Sequence, residues 1–108
     1  MNLDGLPELP KKDTSLEFEK ALRNSPIISY VYVLLYNNHV CKAKDMAAVM
    51  NKTVAQVYSI MDRMSIYGVI GKIPKKGVYY LKKDVYPDSQ YTALKVLALT
   101  IINDPKNA

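Results

Sequence analysis

Cysteine, histidine, glycine and tryptophan are scarce in this chain of 108 residues, which has one cysteine, one histidine, four glycines and no tryptophan. The single cysteine, Cys41, excludes an internal disulfide, and Cys41 and His39 together are too few ligands for a tetrahedral metal site. No acid is arranged beside either residue to form a catalytic pair, and no glycines are spaced as in a phosphate-binding loop. We therefore expect no enzyme, no metal and no cofactor. Both residues are expected to be structural, with oxidation of Cys41 as the alternative.

Long hydrophobic runs are also absent. The chain is 49% hydrophobic with a mean hydropathy of −0.10, but no apolar run approaches the ~20 residues that a membrane span needs. The N-terminus has no apolar core after a basic start, so it is not typical of a secretory signal. These absences predict one cytoplasmic domain without a membrane partner.

Positive charge is in excess and unevenly placed. The segment from Val40 to Lys83 has nine basic and two acidic residues, a balance of +7, whereas the remainder has six basic and eight acidic residues. The nine basic residues are Lys42, Lys44, Lys52, Arg63, Lys72, Lys75, Lys76, Lys82 and Lys83. Such segregation predicts a polyanionic partner, and a solvated lysine-rich surface is the alternative.

The stretch from Thr53 to Tyr80 predicts a capped helix followed by a basic β-hairpin. Thr53 and Gln56 have the spacing of a capping box, and Gly68 can adopt the left-handed conformation that ends a helix. Two alternating runs on either side of Pro74–Gly77 then predict the hairpin. One apolar stripe at helical spacing predicts the buried face of the helix. It comprises Val57, Ile60, Met61 and Met64.

Three further helices are predicted before this stretch. Thr14 begins a second capping-box motif, and its helix should end near Asn24. Ser25-Pro26 is a typical N-cap and first helical residue, and the helix that follows is apolar on nearly every side and therefore buried, with a β-strand as the competing interpretation. The short third helix, Ala43–Met50, is followed by Asn51, which tolerates a positive φ.

The third helix and the capped helix are separated by about three residues, which is the spacing of a helix-turn-helix. The run from Asp45 to Leu81 resembles winged helix-turn-helix regulators of the MarR and PadR kind. It resembles more closely the small archaeal regulators distantly related to the leucine-responsive family, and those encoded by archaeal viruses and plasmids. The matching pieces are Met46-Ala47, Met50, Val57, Asp62-Arg63-Met64 and Tyr67-Gly68-Val69-Ile70. One departure is Asn51, which stands where these families usually have glycine.

The resemblance implies an α+β, mainly helical, winged helix-turn-helix fold. Residues 1–13 are expected to form a flexible arm, residues 14–85 the DNA-binding domain, and residues 86–108 a dimerisation helix and tail. The helix predicted from Ser89 to about Asn103 has a wide apolar stripe, more than a small domain covers by itself. The predicted dimerisation residues are Tyr91, Leu94, Leu97, Ala98, Ile101 and Ile102. Packing on the first helix within one chain is the alternative.

DNA contacts follow if the capped helix lies in the major groove. Gln56 is suited to pair with adenine, Ala55 to meet a thymine methyl group, and Tyr58 and Ser59 to reach a base edge or a phosphate. Arg63 and the lysines are suited to the phosphate backbone. The predicted DNA-binding set is Lys42, Lys44, Lys52, Thr53, Ala55, Gln56, Tyr58, Ser59, Arg63, Lys72, Lys75 and Lys76.

The sequence therefore predicts a transcriptional regulator that binds double-stranded DNA sequence-specifically. We expect a homodimer that reads an inverted repeat through a recognition helix over residues 53–67 and a basic wing over residues 71–81. The alternative is a winged-helix protein-interaction module within a larger transcription or replication assembly. The lysines favour DNA, because an interaction module has no need to concentrate them on the wing and the turn.

Overall fold

The computed structural model describes residues 15–107 and has a mainly helical α+β fold with five α-helices and one three-stranded antiparallel sheet. In chain order the elements are α1 (Ser15–Asn24), α2 (Pro26–Asn38), β1 (Val40–Lys42), α3 (Ala43–Met50), α4 (Val54–Ser65), β2 (Ile70–Ile73), β3 (Val78–Leu81), α5 (Asp88–Ile102) and a 3-10 helix (Pro105–Asn107). The predicted N-terminal arm and the Thr14 cap lie outside the described residues. No helix between residues 15 and 107 is long and apolar enough to cross a membrane.

The segment after Ser25 is a helix, α2, and not the competing strand. Ser25 has extended backbone angles (φ −142°, ψ 102°) and Pro26 occupies the first turn, where its missing N–H costs nothing, although the Ser25 side chain makes no capping hydrogen bond. The helix ends where His39 turns to a positive φ of 64° and donates its backbone N–H to the Leu35 carbonyl. Val31, Tyr32 and Leu35 are fully buried, which confirms that α2 is a core helix.

Strand β1 is the element that the sequence did not predict. It pairs with β3, which lies in the middle of the sheet order β1-β3-β2, with Val40 opposite Tyr80 and Lys42 opposite Val78. Three residues carry too little periodicity to identify a strand, and β1 is extended because β3 offers an edge to pair with. On the other edge, Gly71 lies opposite Tyr80 and its missing side chain leaves room for the tyrosine ring.

Helices α1, α2 and α5 are joined by buried aromatic rings and buried hydroxyl groups. Phe18 is fully buried, with its ring centroid 5.3 Å from that of Tyr32 in an edge-on arrangement. The Tyr32 hydroxyl donates to the Tyr91 carbonyl at 2.9 Å, and the Ser29 hydroxyl donates to the Leu22 carbonyl at 2.9 Å. Because both hydroxyls are buried and satisfied, they fix the three helices in one arrangement.

Helix α5 packs mainly on α2 and also on α1, which corrects part of the dimerisation prediction. Tyr91, Leu94 and Ala98 are no more than 5% exposed in the isolated chain, so a partner has no access to them. The predicted apolar stripe of α5 is present. It is buried within the chain against α2, a helix that is apolar on almost every side. The helix also begins one residue earlier than predicted, at Asp88, with Pro87 as its N-cap.

The outer side of α5 differs from the predicted dimerisation stripe. Val96 is 59% exposed and Leu99 is 37% exposed, and we call the surface formed by these two side chains, three residues apart on the helix, the outer face of α5. The other three predicted dimerisation residues are half-buried between the inner and the outer face. They are Leu97, Ile101 and Ile102.

Candidate nucleic-acid interface

Helix α4 begins with the predicted capping box. The Gln56 backbone N–H donates to Thr53 Oγ1 at 3.1 Å, and the Thr53 backbone N–H donates to Gln56 Oε1 at 2.9 Å. These two bonds satisfy N–H groups that a helix start otherwise leaves without partners. The helix ends at Ser65, two residues earlier than predicted, and Gly68 has the expected positive φ, 73°, in the turn that follows.

The two faces of α4 are divided as the sequence predicted. The inner face is buried and consists of Val57, Ile60, Met61 and Met64. The outer face presents small and polar side chains to solvent, and the predicted readers on it are all exposed. They are Ala55, Gln56 and Ser59, and Arg63, which was predicted to contact the phosphate backbone, is exposed as well.

The turn between α3 and α4 positions Lys52 beside the start of α4. Asn51 adopts the left-handed conformation, with φ 55° and ψ 49°, as predicted for a residue that tolerates a positive φ. The Lys52 backbone N–H then donates to the Ala47 carbonyl at 2.9 Å and so closes the end of α3. Ala43, Met46 and Ala47 are buried, so α3 supports α4 from below.

The β2–β3 hairpin carries its lysines at an exposed tip. Pro74 followed by Lys75 at a φ of 66° is the pattern of a type II turn, which normally has glycine at the second position. A lysine in this conformation costs roughly 1 kcal/mol relative to glycine. Lys72, Lys75 and Lys76 are all exposed, so the hairpin presents three ammonium groups to solvent.

A backbone hydrogen bond brings a second group of lysines to the turn end of the hairpin. The Ala43 N–H, at the start of α3, donates to the Gly77 carbonyl at 2.8 Å. Lys42 and Lys44 flank Ala43 in the chain, and both are exposed. The start of α3 and the hairpin therefore belong to one basic surface.

Two of the predicted readers on α4, Gln56 and Ser59, share a shallow cleft with Lys52 of the turn. The cleft has a volume of about 480 Å³. Its lining residues are Ile27, Lys52, Gln56, Ser59, Ile60, Asp62 and Arg63. Four of them belong to the predicted DNA-binding set, so the fold brings together residues that are up to eleven positions apart in sequence.

The capping box restricts what Gln56 can read. Bidentate pairing with adenine uses the amide oxygen as acceptor and the amide nitrogen as donor. Gln56 Oε1 already accepts the Thr53 N–H, which turns the side chain back over the first turn of α4. Full adenine pairing would therefore require the box to open, whereas the amide nitrogen remains available as a donor.

The basic segment is not neutralised by ion pairs in the described part of the chain. The one ion pair between residues 15 and 107 joins Arg23 to Glu19 on α1, at 2.9 Å. Asp45 and Asp62, the two acids of the segment, are exposed and form no ion pair within that range. The positive charge is therefore available to a ligand.

His39 and Cys41 lie apart from this surface. His39 is exposed and contributes its backbone to the end of α2, while the half-buried Cys41 thiol lies 4.0 Å from the Leu34 carbonyl. Burial, and secondarily the charge of Asp45, raises the pKa of the Cys41 thiol, which disfavours the reactive thiolate. Over residues 15–107 no group of three or more His, Cys, Asp or Glu side chains could hold a metal ion.

Two residues at the junction of α4 and the hairpin have roles that sequence reasoning missed or misassigned. The Tyr79 ring is buried on β3, 6.2 Å from the ring of Tyr58 on α4, measured between centroids. Lys72 Nζ lies 5.2 Å from the Tyr58 centroid and 5.8 Å from the Tyr79 centroid. From the sequence, Tyr79 was not identified as a buried residue. Nothing in the sequence linked it to Tyr58.

Comparisons of the chain with protein-family profiles, with curated proteins and with solved structures found no match in any of the three.

Proposed function

We propose that this protein binds double-stranded DNA sequence-specifically, as a winged-helix transcriptional regulator. The observation that carries the proposal is the basic segment from Val40 to Lys83, which has a balance of +7 and forms no ion pair within residues 15–107. When basic side chains neutralise the phosphates of DNA, the DNA releases its condensed counterions. This release provides binding affinity that does not depend on the DNA sequence.

The arrangement of elements supports the winged-helix assignment. Helices α3 and α4 are joined by the short turn at Asn51, and the β2–β3 hairpin follows α4 directly. The exposed face of α4 has the width and polarity to enter the major groove, with the hairpin as the wing. The same elements are compatible with the resemblance noted in the sequence.

Roles within the interface follow from exposure and chemistry. Ala55 and Ser59 point outward from α4 and are candidate base contacts, and Gln56 donates through its amide nitrogen. Lys75 and Lys76 at the wing tip are suited to phosphates or the minor groove beside the major-groove site. The remaining proposed phosphate contacts are Lys42, Lys44, Lys52, Thr53, Arg63 and Lys72.

We also propose a homodimer in which the outer face of α5 is the contact. Val96 and Leu99 are the exposed apolar residues of that face. A two-fold arrangement would place two α4 helices about one turn of DNA apart, ~34 Å, and would read an inverted repeat. Analytical ultracentrifugation of wild type and Val96→Asp tests this contact: dissociation to monomers is expected, and an unchanged mass contradicts the proposed face.

The competing function is a winged-helix module that binds proteins rather than DNA. Some apolar side chains of the turn region are exposed, among them Val49 at 58% and Val54 at 38%, as a docking surface would need. Val49 lies three residues before Lys52 and Val54 two residues after it, however, and a surface for apolar docking does not require that charge.

The test is binding to duplex DNA measured by gel shift or fluorescence anisotropy, beginning with the region upstream of the protein's own gene. Lys75→Ala combined with Lys76→Ala should lower affinity similarly for every sequence, since these residues are assigned to phosphates. Gln56→Ala should instead reduce the difference in affinity between the preferred DNA site and a scrambled DNA site. The free energy of unfolding of this variant is measured in parallel, because the change also removes the capping-box hydrogen bond from the Thr53 N–H to Gln56 Oε1.

A matched control removes the same charge outside the basic segment. Lys20 and Lys106 are both exposed, and Lys20→Ala combined with Lys106→Ala should leave affinity within about twofold of wild type, because neither lysine belongs to the proposed interface. Equal losses in the two double variants would show that net charge alone drives binding. Unchanged affinity after loss of both wing lysines would contradict the proposed interface.

A further inference from the structure

The contacts of Tyr58 do not match those of a side chain that reaches into DNA. Its ring is only 36% exposed, lies against the buried Tyr79 ring and has the Lys72 ammonium above it. Its hydroxyl is directed at the hairpin, because a Cβ atom added to Gly77 would lie 2.9 Å from Tyr58 Oη. Tyr58 therefore contacts the far end of the wing from the middle of α4.

Lys72 is held by the same arrangement. Its ammonium lies within 6 Å of two aromatic centroids, at 5.2 Å from Tyr58 and 5.8 Å from Tyr79, where ring quadrupoles attract a cation. No carboxylate between residues 15 and 107 pairs with it. The ammonium is thus fixed at the junction of α4 and the wing without being neutralised, and a phosphate is the group that such a position fits.

Within the proposed DNA-binding function, we propose that Tyr58 is a positioning residue and not a DNA contact. Tyr58 fixes the wing against α4 and holds the Lys72 ammonium in place. There the ammonium binds the DNA phosphate that lies between the DNA contacts of α4 and those of the wing. Helix and wing then meet DNA as one rigid unit, and the ordering of Lys72 is complete before binding. This replaces the expectation that the Tyr58 hydroxyl reaches a base or a phosphate.

If Tyr58 positions Lys72, variants that keep the ring below Lys72 and variants that lose the ring or the ammonium should differ in affinity for DNA. Tyr58→Phe keeps the ring that lies below Lys72 and loses only the hydroxyl, so affinity for DNA should stay within about twofold of wild type. Tyr58→Leu keeps apolar cover over Tyr79 but loses the ring, and Lys72→Gln loses the ammonium itself. Each of these two should lower affinity about fivefold to tenfold near 0.1 M salt, the effect of one lost phosphate contact.

The decisive experiment is a double-mutant cycle between Tyr58→Leu and Lys72→Gln, with affinity measured over a series of salt concentrations. We expect the double variant to bind no more weakly than Lys72→Gln alone, because both changes remove the same contact. Each single change should also reduce the slope of log K against log salt by about 1, which a change confined to packing would not do.

Three outcomes overturn the assignment. Additive losses in the cycle would show that Tyr58 and Lys72 act separately, and a large loss in Tyr58→Phe would show that the hydroxyl itself contacts DNA. An unchanged salt slope in Tyr58→Leu would reduce Tyr58 to a packing residue. All three require wild type to bind with a steep salt dependence, so a wild type that does not bind refutes the proposed function itself.

Discussion

The joint between α2 and α5 and the joint between α4 and the wing use tyrosine in opposite ways. At the first joint the Tyr32 hydroxyl is buried and donates to the Tyr91 carbonyl at 2.9 Å, and the Tyr91 hydroxyl donates to the Lys82 carbonyl. At the second joint Tyr58 and Tyr79 make ring contacts below Lys72, and the Tyr79 hydroxyl is buried without a hydrogen-bond partner in the described part of the chain.

The difference indicates that the first joint contributes mainly to the stability of the fold, whereas the second joint mainly positions the Lys72 ammonium. Satisfied hydroxyls in a buried joint hold helices in one arrangement and contribute to the free energy of unfolding. Ring contacts below an exposed ammonium contribute less to folding but keep a positive charge in a defined place. We infer that the chain concentrates its stability in α1, α2 and α5, and its ligand binding in α3, α4 and the wing.

The largest expected effect is on the free energy of unfolding when the aromatic ring of α1 that packs on Tyr32 of the first joint is removed. Phe18 is fully buried, with ring centroids of Tyr32 and Tyr67 each at 5.3 Å, so Phe18→Ala should cost about 3–5 kcal/mol. Tyr58→Ala, at the second joint, should cost about 1–2 kcal/mol. Urea unfolding followed by circular dichroism measures both, and equal costs would remove the distinction between the joints.

A smaller contrast is expected from removing one hydroxyl at each joint. Tyr32→Phe loses a buried and satisfied hydrogen bond and should destabilise by about 1–2 kcal/mol. Tyr79→Phe removes a hydroxyl that is buried without a partner in residues 15–107, so it should be neutral or slightly stabilising. The comparison fails if Tyr79→Phe proves the more costly of the two.

The smallest contrast compares two glycines that share a positive φ. Gly68 has φ 73° and open space where a Cβ would lie, whereas a Cβ on Gly77, at φ 60°, meets the Tyr58 hydroxyl. Both glycine-to-alanine changes should cost roughly 1 kcal/mol for the backbone. Gly77→Ala should cost somewhat more, and Tyr58→Phe should remove the excess in thermal unfolding. An equal cost at both sites in the wild-type background, or an excess at Gly77 that persists in Tyr58→Phe, would contradict the Tyr58–Gly77 contact.

Local chemistry explains which parts of the fold could be predicted. The capping box of α4, the left-handed Asn51 and the four buried residues of α4 depend on neighbours in sequence, and all were predicted correctly. Strand β1 depends on pairing with β3, and the cover over Tyr91 depends on α2, which are partners that periodicity does not identify. Periodicity within α5 was enough to recognise its apolar stripe. It could not show that α2 of the same chain covers Tyr91, Leu94 and Ala98.

The candidate interface shows the same limit. Exposure of the outer face of α4 and of the wing lysines followed from alternation and composition, and the structure places them as expected. Two features could not be predicted: the engagement of the Gln56 amide oxygen by the Thr53 N–H, which restricts its pairing with a base, and the contact between Tyr58 and the wing. Each depends on the conformation of one side chain in the folded chain. The sequence identified the residue types of the surface but not how they are connected.

The most direct test of the central claim is the salt dependence of duplex DNA binding by the wild-type protein. If the basic segment neutralises about six phosphates per subunit, log K should fall with log salt at a slope of about −5 per subunit, and loss of Lys75 and Lys76 should reduce that slope by about 2. A nearly flat salt response would contradict the account, because a displayed charge of +7 would then have no polyanion to bind.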